Sequence, residues 1–221
     1  MRLISVNIGK PREILYRGRT VRTGIFKKPA QGAVHLGKLN LDGDGQADLS
    51  VHGGFSKAVY VYPAEHYEYW RGKLSGAELA WGAFGENFTV AELSEETTRI
   101  GDRYRIGTAE VIVTEPRLPC YKLAVKFSRD DIIKLFLRGR RTGFYFAVEK
   151  EGEVAAEDSI EFLGKDDNAI TVAELVQVYL HGKKDREAME RVLRTKALPQ
   201  SWRVYFQEHI DKIRREPETE S

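Results

Sequence analysis

A single cysteine, Cys120, stands in the 221 residues of this chain. One thiol cannot close an internal disulfide, which suits a reducing compartment, and it cannot build a cysteine-based zinc site. The five histidines, His35, His52, His66, His181 and His209, show no H-x-x-x-H or related spacing, so a histidine-based zinc centre is excluded as well. Long apolar runs are missing too: none approaches the ~18 residues a membrane span needs. Met1 to Gly9 alternates apolar and polar residues without a long apolar stretch, so it reads as a first strand and not as a secretory leader. A cytoplasmic protein with no membrane partner is the expectation. Nor is there an excess of charge of one sign. The 35 basic residues stand against 33 acidic ones, a formal net charge of +2, and give no reason to expect nucleic acid. G-x-S-x-G, Walker and dinucleotide fingerprints are absent, as are internal repeats and low-complexity tracts.

What is present suits a packed domain. Hydrophobic residues make up 42% of the chain and charged ones 31%, enough for a core and a solvated surface. Residues 1–165 are punctuated as β structure, with short apolar or alternating runs separated by Gly, Asp and Pro. The runs fall at 1–8, 13–16, 19–26, 33–36, 38–41, 87–90, 103–106, 109–114, 143–148 and 159–163, with a hairpin around Arg17-Gly18. Such spacing predicts a barrel or sandwich. Helical period appears twice inside this block. Pro63 to Leu74 carries Tyr67, Trp70 and Leu74 at steps of three and four, with Pro63 in the first turn. Ser128 to Arg138 carries Ile132, Ile133, Phe136 and Leu137, with Ser128 as cap and Asp130 and Asp131 in the first turn. Beyond residue 168 the character turns helical. Thr171 and Glu174 form a capping box, Gly182 ends that helix, and Asp185 and Ser201 start two more. The expected architecture is therefore mainly β with a few helices over residues 1–165, then a small three-helix unit over 170–215. A unit that small needs the first domain, or a partner, to be stable.

Glu115-Pro116-Arg117-Leu118-Pro119-Cys120-Tyr121-Lys122-Leu123 holds the lone thiol. Its two prolines predict a stiff loop at Leu118-Pro119-Cys120. Arg117 and Lys122 flank the cysteine, and nearby cations favour the thiolate, the form that attacks or binds metal. The alternative is a small buried hydrophobe, the usual fate of a free cysteine. His52-Gly53-Gly54-Phe55-Ser56-Lys57 joins a backbone able to approach a ligand closely to a hydroxyl and a fixed charge. It serves either as an anion nest or as a tight turn between strands. Asp42-Gly43-Asp44-Gly45-Gln46-Ala47-Asp48 fits a short calcium loop or a polar turn, and does not fit an EF-hand. Gly82 to Phe88 sets Glu86 and Asn87 on a Gly-flanked turn. Arg138-Gly139-Arg140-Arg141 is a basic loop that either binds phosphate or is merely solvated.

Taken in order, Gly45-Gln46-Ala47-Asp48, His52-Gly53-Gly54, Lys57-Ala58-Val59-Tyr60, Tyr62-Pro63, Gly85-Glu86-Asn87-Phe88-Thr89 and Pro116-Arg117-Leu118-Pro119-Cys120-Tyr121-Lys122-Leu123 resemble the MOSC domain, the module at the C-terminus of molybdenum cofactor sulfurases. Order and spacing resemble the stand-alone bacterial YiiM-like branch, whose 3-alpha domain matches the helical tail. The resemblance implies a barrel-like MOSC fold and a pocket for the molybdenum cofactor, an anionic pterin dithiolene. It implies Cys120 as molybdenum ligand, and reduction of N-hydroxylated bases such as 6-N-hydroxylaminopurine. The electrons would come from a separate flavin or iron–sulfur protein, since this chain carries neither motif. Pyridoxal phosphate belongs to a fused desulfurase domain and is not expected. Within that frame His52, Gly53, Gly54, Ser56, Lys57, Asn87, Arg117, Arg140 and Arg141 would hold the cofactor, and Glu86 or His52 would donate a proton. A persulfide carrier acting through Cys120 is the alternative function. A binding module is a third; the ten basic and nine acidic residues from Ala169 onward make no DNA-binding stripe.

Overall fold

The computed structural model describes residues 1–47, 53–74, 76 and 78–215. Twelve strands occur among them in chain order: β1 (Arg2–Ile8), β2 (Arg12–Tyr16), β3 (Arg19–Thr23), β4 (Lys28–Pro29), β5 (Val34–Leu36), β6 (Val59–Pro63), β7 (Phe88–Ala91), β8 (Arg103–Ile106), β9 (Ala109–Pro116), β10 (Phe144–Lys150), β11 (Gly152–Val154) and β12 (Ile160–Gly164). The helices are α1 (His66–Lys73), α2 (Tyr121–Phe127), α3 (Ile132–Gly139), α4 (Val172–His181), α5 (Arg186–Leu193) and α6 (Gln200–Arg215), with a 3₁₀ turn at Phe55–Lys57.

Eight strands form the main sheet in the order β12-β8-β9-β10-β6-β7-β1-β4. Its pairs are antiparallel except β6 with β7, which run parallel on either side of α1. The sheet curls so that its ends approach. Arg2 and Ser159 form an isolated bridge, and Leu3 and Asp158 are joined by an N–H···O bond of 2.9 Å. This contact falls short of a continuous ladder, so the expected barrel is an open, strongly curled sheet. β2 with β3, and β5 with β11, make two small separate sheets.

Side-chain alternation explains the core. In β10, Phe144 and Phe146 are buried whereas Tyr145 lies on the other face, half-buried. One apolar cluster runs from Leu3, Val61 and Phe88 in the sheet to Leu175, Met189, Val192 and Phe206 in the last three helices. The small helical unit thus completes the core of the sheet. A second cluster, rich in rings, packs Tyr62, Tyr67, Trp70, Phe84 and Phe136 around α1 and α3, with Trp70 and Phe136 stacked at 4.5 Å.

Local signals were followed in some places and overridden in others. Thr171 and Glu174 form the expected capping box, with reciprocal bonds of 3.1 and 2.7 Å. Pro63, expected to open a helix, ends strand β6, where its missing N–H costs no ladder bond, and α1 begins at His66. Ser128 is not an N-cap. It takes the left-handed conformation (φ 51°) that ends α2, and Asp131 precedes α3. Residues 38–41 form a turn with a single Leu36–Leu41 bridge. α2 was not expected at all.

Candidate functional site

β9 ends at Pro116, and the chain then crosses to α2 through Arg117, Leu118, Pro119 and Cys120. The crossing is pinned at both ends. Arg117 N–H donates to Gly143 O at 3.1 Å, and Leu123 N–H donates to Cys120 O at 3.0 Å. Cys120 is extended, half-buried and not in a disulfide. It is one of three residues, with Lys57 and Tyr145, that line both of two adjoining clefts. The topology accounts for the meeting. Cys120 follows β9, Tyr145 lies in β10 and Lys57 precedes β6, and these three strands are neighbours in the sheet.

The first cleft opens to solvent and has a cavity volume of about 90 Å³. Among the described residues its walls carry the side chains of Lys27, Lys57, Arg117 and Lys122 against one carboxylate, Asp44. Lys27 and Asp44 form a buried ion pair, and burial lowers the Lys27 ammonium below its ordinary value. Arg117 is only 6% exposed, with its guanidinium 5.1 Å from the Tyr60 ring centroid. Burial works against its charge, but Tyr60, Cys120 and Tyr145 favour it, and the balance raises Arg117 above the usual arginine value. Its Nη1 is buried with no hydrogen-bond partner among the described residues. Lys122 is 8% exposed and pairs with no carboxylate among them. A buried donor left unmade is costly, so Arg117 Nη1, with Lys122 in the same cleft wall, marks a place suited to an anion. The floor is a close crossing of two chain segments. A Cβ on Gly24 would sit 2.4 Å from Gly45 O, and one on Gly45 would sit 2.5 Å from Pro11 Cδ.

The second cleft, about 360 Å³, lies between the sheet and the three-helix unit. Pro116, Leu118 and Pro119 line one side and Tyr179, Trp202 and Tyr205 the other. Glu115 ties the sides together. It accepts from Ser56 Oγ at 2.8 Å and from Trp202 Nε1 at 2.9 Å, and Lys57 Nζ lies 3.8 Å from it. Burial, opposed by the charge of Arg117, pushes the Tyr145 phenol up to about 12, so it keeps its proton at neutral pH.

The structure thus brings together Cys120, Lys57, Arg117 and Asn87 from the sequence-derived set. Asn87 lines the first cleft with its amide already engaged: Nδ2 donates to Asp44 Oδ2 at 2.9 Å, and Oδ1 accepts from Tyr60 N–H at 3.1 Å. His52 lies outside the described residues, as does Asp48 of the proposed calcium loop. Asp44, in that loop, accepts from Lys27 Nζ, Gly9 N–H and Asn87 Nδ2.

Six of the expected site residues line neither cleft. Glu86 lines neither cleft; it is fully buried and accepts from Tyr67 Oη, Gly82 N–H, Phe84 N–H and Thr89 Oγ1. It holds the turn between residues 82 and 89 and has no access to a substrate. Arg140 caps α3, and Arg141 donates to Gly139 O while lying 4.0 Å over the Tyr69 ring, so neither reaches the clefts. Ser56 is occupied by Glu115. Gly53 and Gly54 do not line the clefts; Gly54, at φ 92°, instead shapes the turn that delivers Lys57. Sequence reasoning passed over Tyr145 and Lys27. The alternation of Phe144-Tyr145-Phe146 was the available signal for the first; nothing local distinguishes the second.

Known proteins give an independent bearing. The MOSC domain matches residues 48–161, and the YiiM-like, 3-alpha helix domain matches residues 170–212. The uncharacterized protein YflK of Bacillus subtilis is 44% identical over 211 residues, 96% of this chain and 95% of its own length. A protein named reductase from Gibberella moniliformis is 34% identical over 149 residues, 66% of this chain and 26% of its own length. The crystal structure of YiiM from Geobacillus stearothermophilus superposes with a TM-score of 0.81 at 34% identity, covering 95% of this chain and 98% of that one. Among the described residues no helix is long and apolar enough to cross a membrane.

Proposed function

This chain belongs to the MOSC domain family and carries the YiiM-like 3-alpha helix domain, and from that membership we propose that it is a molybdenum-cofactor oxidoreductase that reduces N-hydroxylated compounds. Electrons come from a separate flavin or iron–sulfur protein. The observation that carries this reading is the place of Cys120. The thiol opens onto a cleft with four cationic side chains, one of them holding a buried, unpartnered guanidinium nitrogen. A soft thiolate suits molybdenum, and the fixed cations suit the anionic pterin phosphate. The distant fungal relative named reductase points to the same class of chemistry.

The residues present therefore fit the group. Cys120 would ligate the metal, while Arg117, Lys122 and Lys57 would hold the phosphate end. The cofactor, when bound, would supply the two-electron redox chemistry. The net reaction joins the N-hydroxy compound, two electrons and two protons to give the amine and water; the N–O bond breaks and nitrogen is reduced. On the protein, Tyr145 and Lys57 are the two proton-bearing side chains that share both clefts with Cys120. The Tyr145 phenol, raised by burial to about 12, is the one placed to release a proton to an oxygen leaving as water, since Lys57 has the cofactor phosphate to hold. His52, outside the described residues, keeps its proposed role as an alternative proton donor.

The test is molybdenum content and pterin fluorescence of purified wild type and Cys120→Ser. Molybdenum present in the first and lost in the second is expected; equal molybdenum in both overturns the ligand assignment. A metal-free protein carrying one extra, reducible sulfur by intact mass would instead establish the persulfide carrier.

A further inference from the structure

Glu95 is only 1% exposed, yet neither it nor its partner His66 lines a cleft. A carboxylate is costly to bury unless both oxygens are met. Here both are. Oε2 lies 2.7 Å from Nε2 of His66, the first residue of α1, and Oε1 accepts from Gly143 N–H at 2.7 Å. The imidazole can supply its hydrogen to Oε2 either charged or as the neutral Nε2–H tautomer. Gly143 sits hard against β6 at φ 68°, where a Cβ would lie 2.4 Å from Val61 O and 2.7 Å from Tyr60 Cε2. Its carbonyl accepts from Arg117 N–H at 3.1 Å. The two residues before it are tied as well: Tyr60 Oη donates to Thr142 O at 2.9 Å, and Tyr62 Oη to Arg141 O at 3.1 Å. β10 begins one residue later, and Tyr145 follows two residues after Gly143. One peptide segment, 141–143, therefore decides where both Arg117 and Tyr145 stand, and Glu95 is the charged group that grips it.

We infer that Glu95, held by His66, is a positioning residue for the cleft at Cys120. Through Gly143 it sets where Arg117 presents its unpartnered guanidinium nitrogen and where Tyr145 presents its phenol. The tasks of those two side chains rest on the proposed function; the grip on the segment does not. Neither Glu95 nor His66 touches substrate or cofactor. A displacement of about 1 Å at such a point costs up to about a hundredfold in rate.

Three variants separate the possibilities. Glu95→Ala removes both bonds. Glu95→Gln keeps an oxygen for Gly143 N–H and an amide for the imidazole. His66→Leu leaves the carboxylate without its second donor, and answers the same question where Glu95→Ala does not fold. In metal-free protein, hydrogen exchange is followed at the Arg117 amide, which Glu95 does not touch, against that of Val113. Inorganic phosphate is titrated on the same samples, with the Arg117 Nε–H signal as readout. In Glu95→Ala, exchange at Arg117 is expected to quicken about tenfold relative to Val113, as for one weakened buried hydrogen bond, and phosphate half-saturation to rise by a similar factor. His66→Leu is expected to move both in the same direction, and Glu95→Gln to restore both. In loaded enzyme, kcat counted per bound molybdenum should fall about tenfold or more in Glu95→Ala with KM unchanged, whereas mere loss of folded protein would lower molybdenum content and leave that kcat as it was. Arg117 exchange equal to wild type in folded Glu95→Ala, or Glu95→Gln no better than Glu95→Ala, overturns the inference. If wild type takes up no phosphate while Arg117 exchange still quickens in Glu95→Ala, the positioning role stands and the anion reading of the cleft falls.

Discussion

At the scale of single residues, burial separates structural groups from chemical ones. Glu86 and Cys120 both lie in motifs that drew attention in the sequence, flanked in one case by glycines and in the other by prolines. Sequence spacing cannot tell which side chain faces a cavity. The structure gives Glu86 four donors and no opening, so Glu86→Gln is expected to lower stability by about 2–4 kcal/mol, because an amide presents hydrogens to donors that had met a carboxylate. The urea midpoint measures it. A midpoint unchanged from wild type, with turnover lost, would return Glu86 to the reaction. Lys126 makes a second case. Its ammonium donates to Ile25 O at 3.0 Å and Gly82 O at 2.7 Å, and burial lowers it from 10.5 to about 8. Between those values the unfolded chain holds a proton that the folded chain has released, so this group makes the protein more stable as pH rises from about 8. Above about 10 the buried tyrosines act in the opposite sense, since the unfolded chain ionises them first. Stability of wild type relative to Lys126→Met should therefore climb by up to about 2 kcal/mol from pH 8 to 10. Denaturant titrations at several pH values would show it, and a flat or falling difference would contradict it.

At the scale of elements, legibility followed how local the determinant was. The capping box at Thr171 and Glu174 is a four-residue signal and was readable. Thr171→Ala should cost about 1 kcal/mol in thermal or urea unfolding, the usual value of a lost cap. Helix α2 was not readable, because its seven residues follow a proline-stiffened loop and four of them, including Lys122, are buried by tertiary packing. Ser128 looked like an N-cap since Asp130 and Asp131 follow it, yet the short helix before it needed a left-handed stop there. The link between α6 and the cysteine crossing has no sequence signal whatever, as Trp202 and Glu115 lie 87 positions apart. Trp202→Phe keeps an aromatic side chain but removes the indole N–H and part of its volume. It should destabilise by about 1.5–3 kcal/mol, as expected for a lost bond to a charged acceptor. Hydrogen exchange should then speed up in α6 and around residues 115–120 together. Faster exchange in α6 alone would show that the helix does not brace the crossing.

At the scale of the whole molecule, the change from strand-like to helical punctuation near residue 168 announced two kinds of structure, but could not show that they share one core. Leu175, Met189, Val192, Leu198 and Phe206 join the same apolar cluster as Leu3, Val61 and Phe88. Neither part buries its apolar surface without the other, and a unit of some 45 residues is below the size that usually folds unaided. The second cleft exists only because the two are joined across it. The chain should accordingly unfold in one transition, with far-ultraviolet circular dichroism, which reports helix, coinciding with tryptophan fluorescence, which reports Trp70 and Trp81 in the first part as well as Trp202 in the last. A chain cut after residue 168 would expose the sheet's half of the shared core, and should unfold at lower denaturant or aggregate rather than persist as a stable barrel. Two separated transitions, or a truncated chain as stable as the full one, would show that the helices are an appendage.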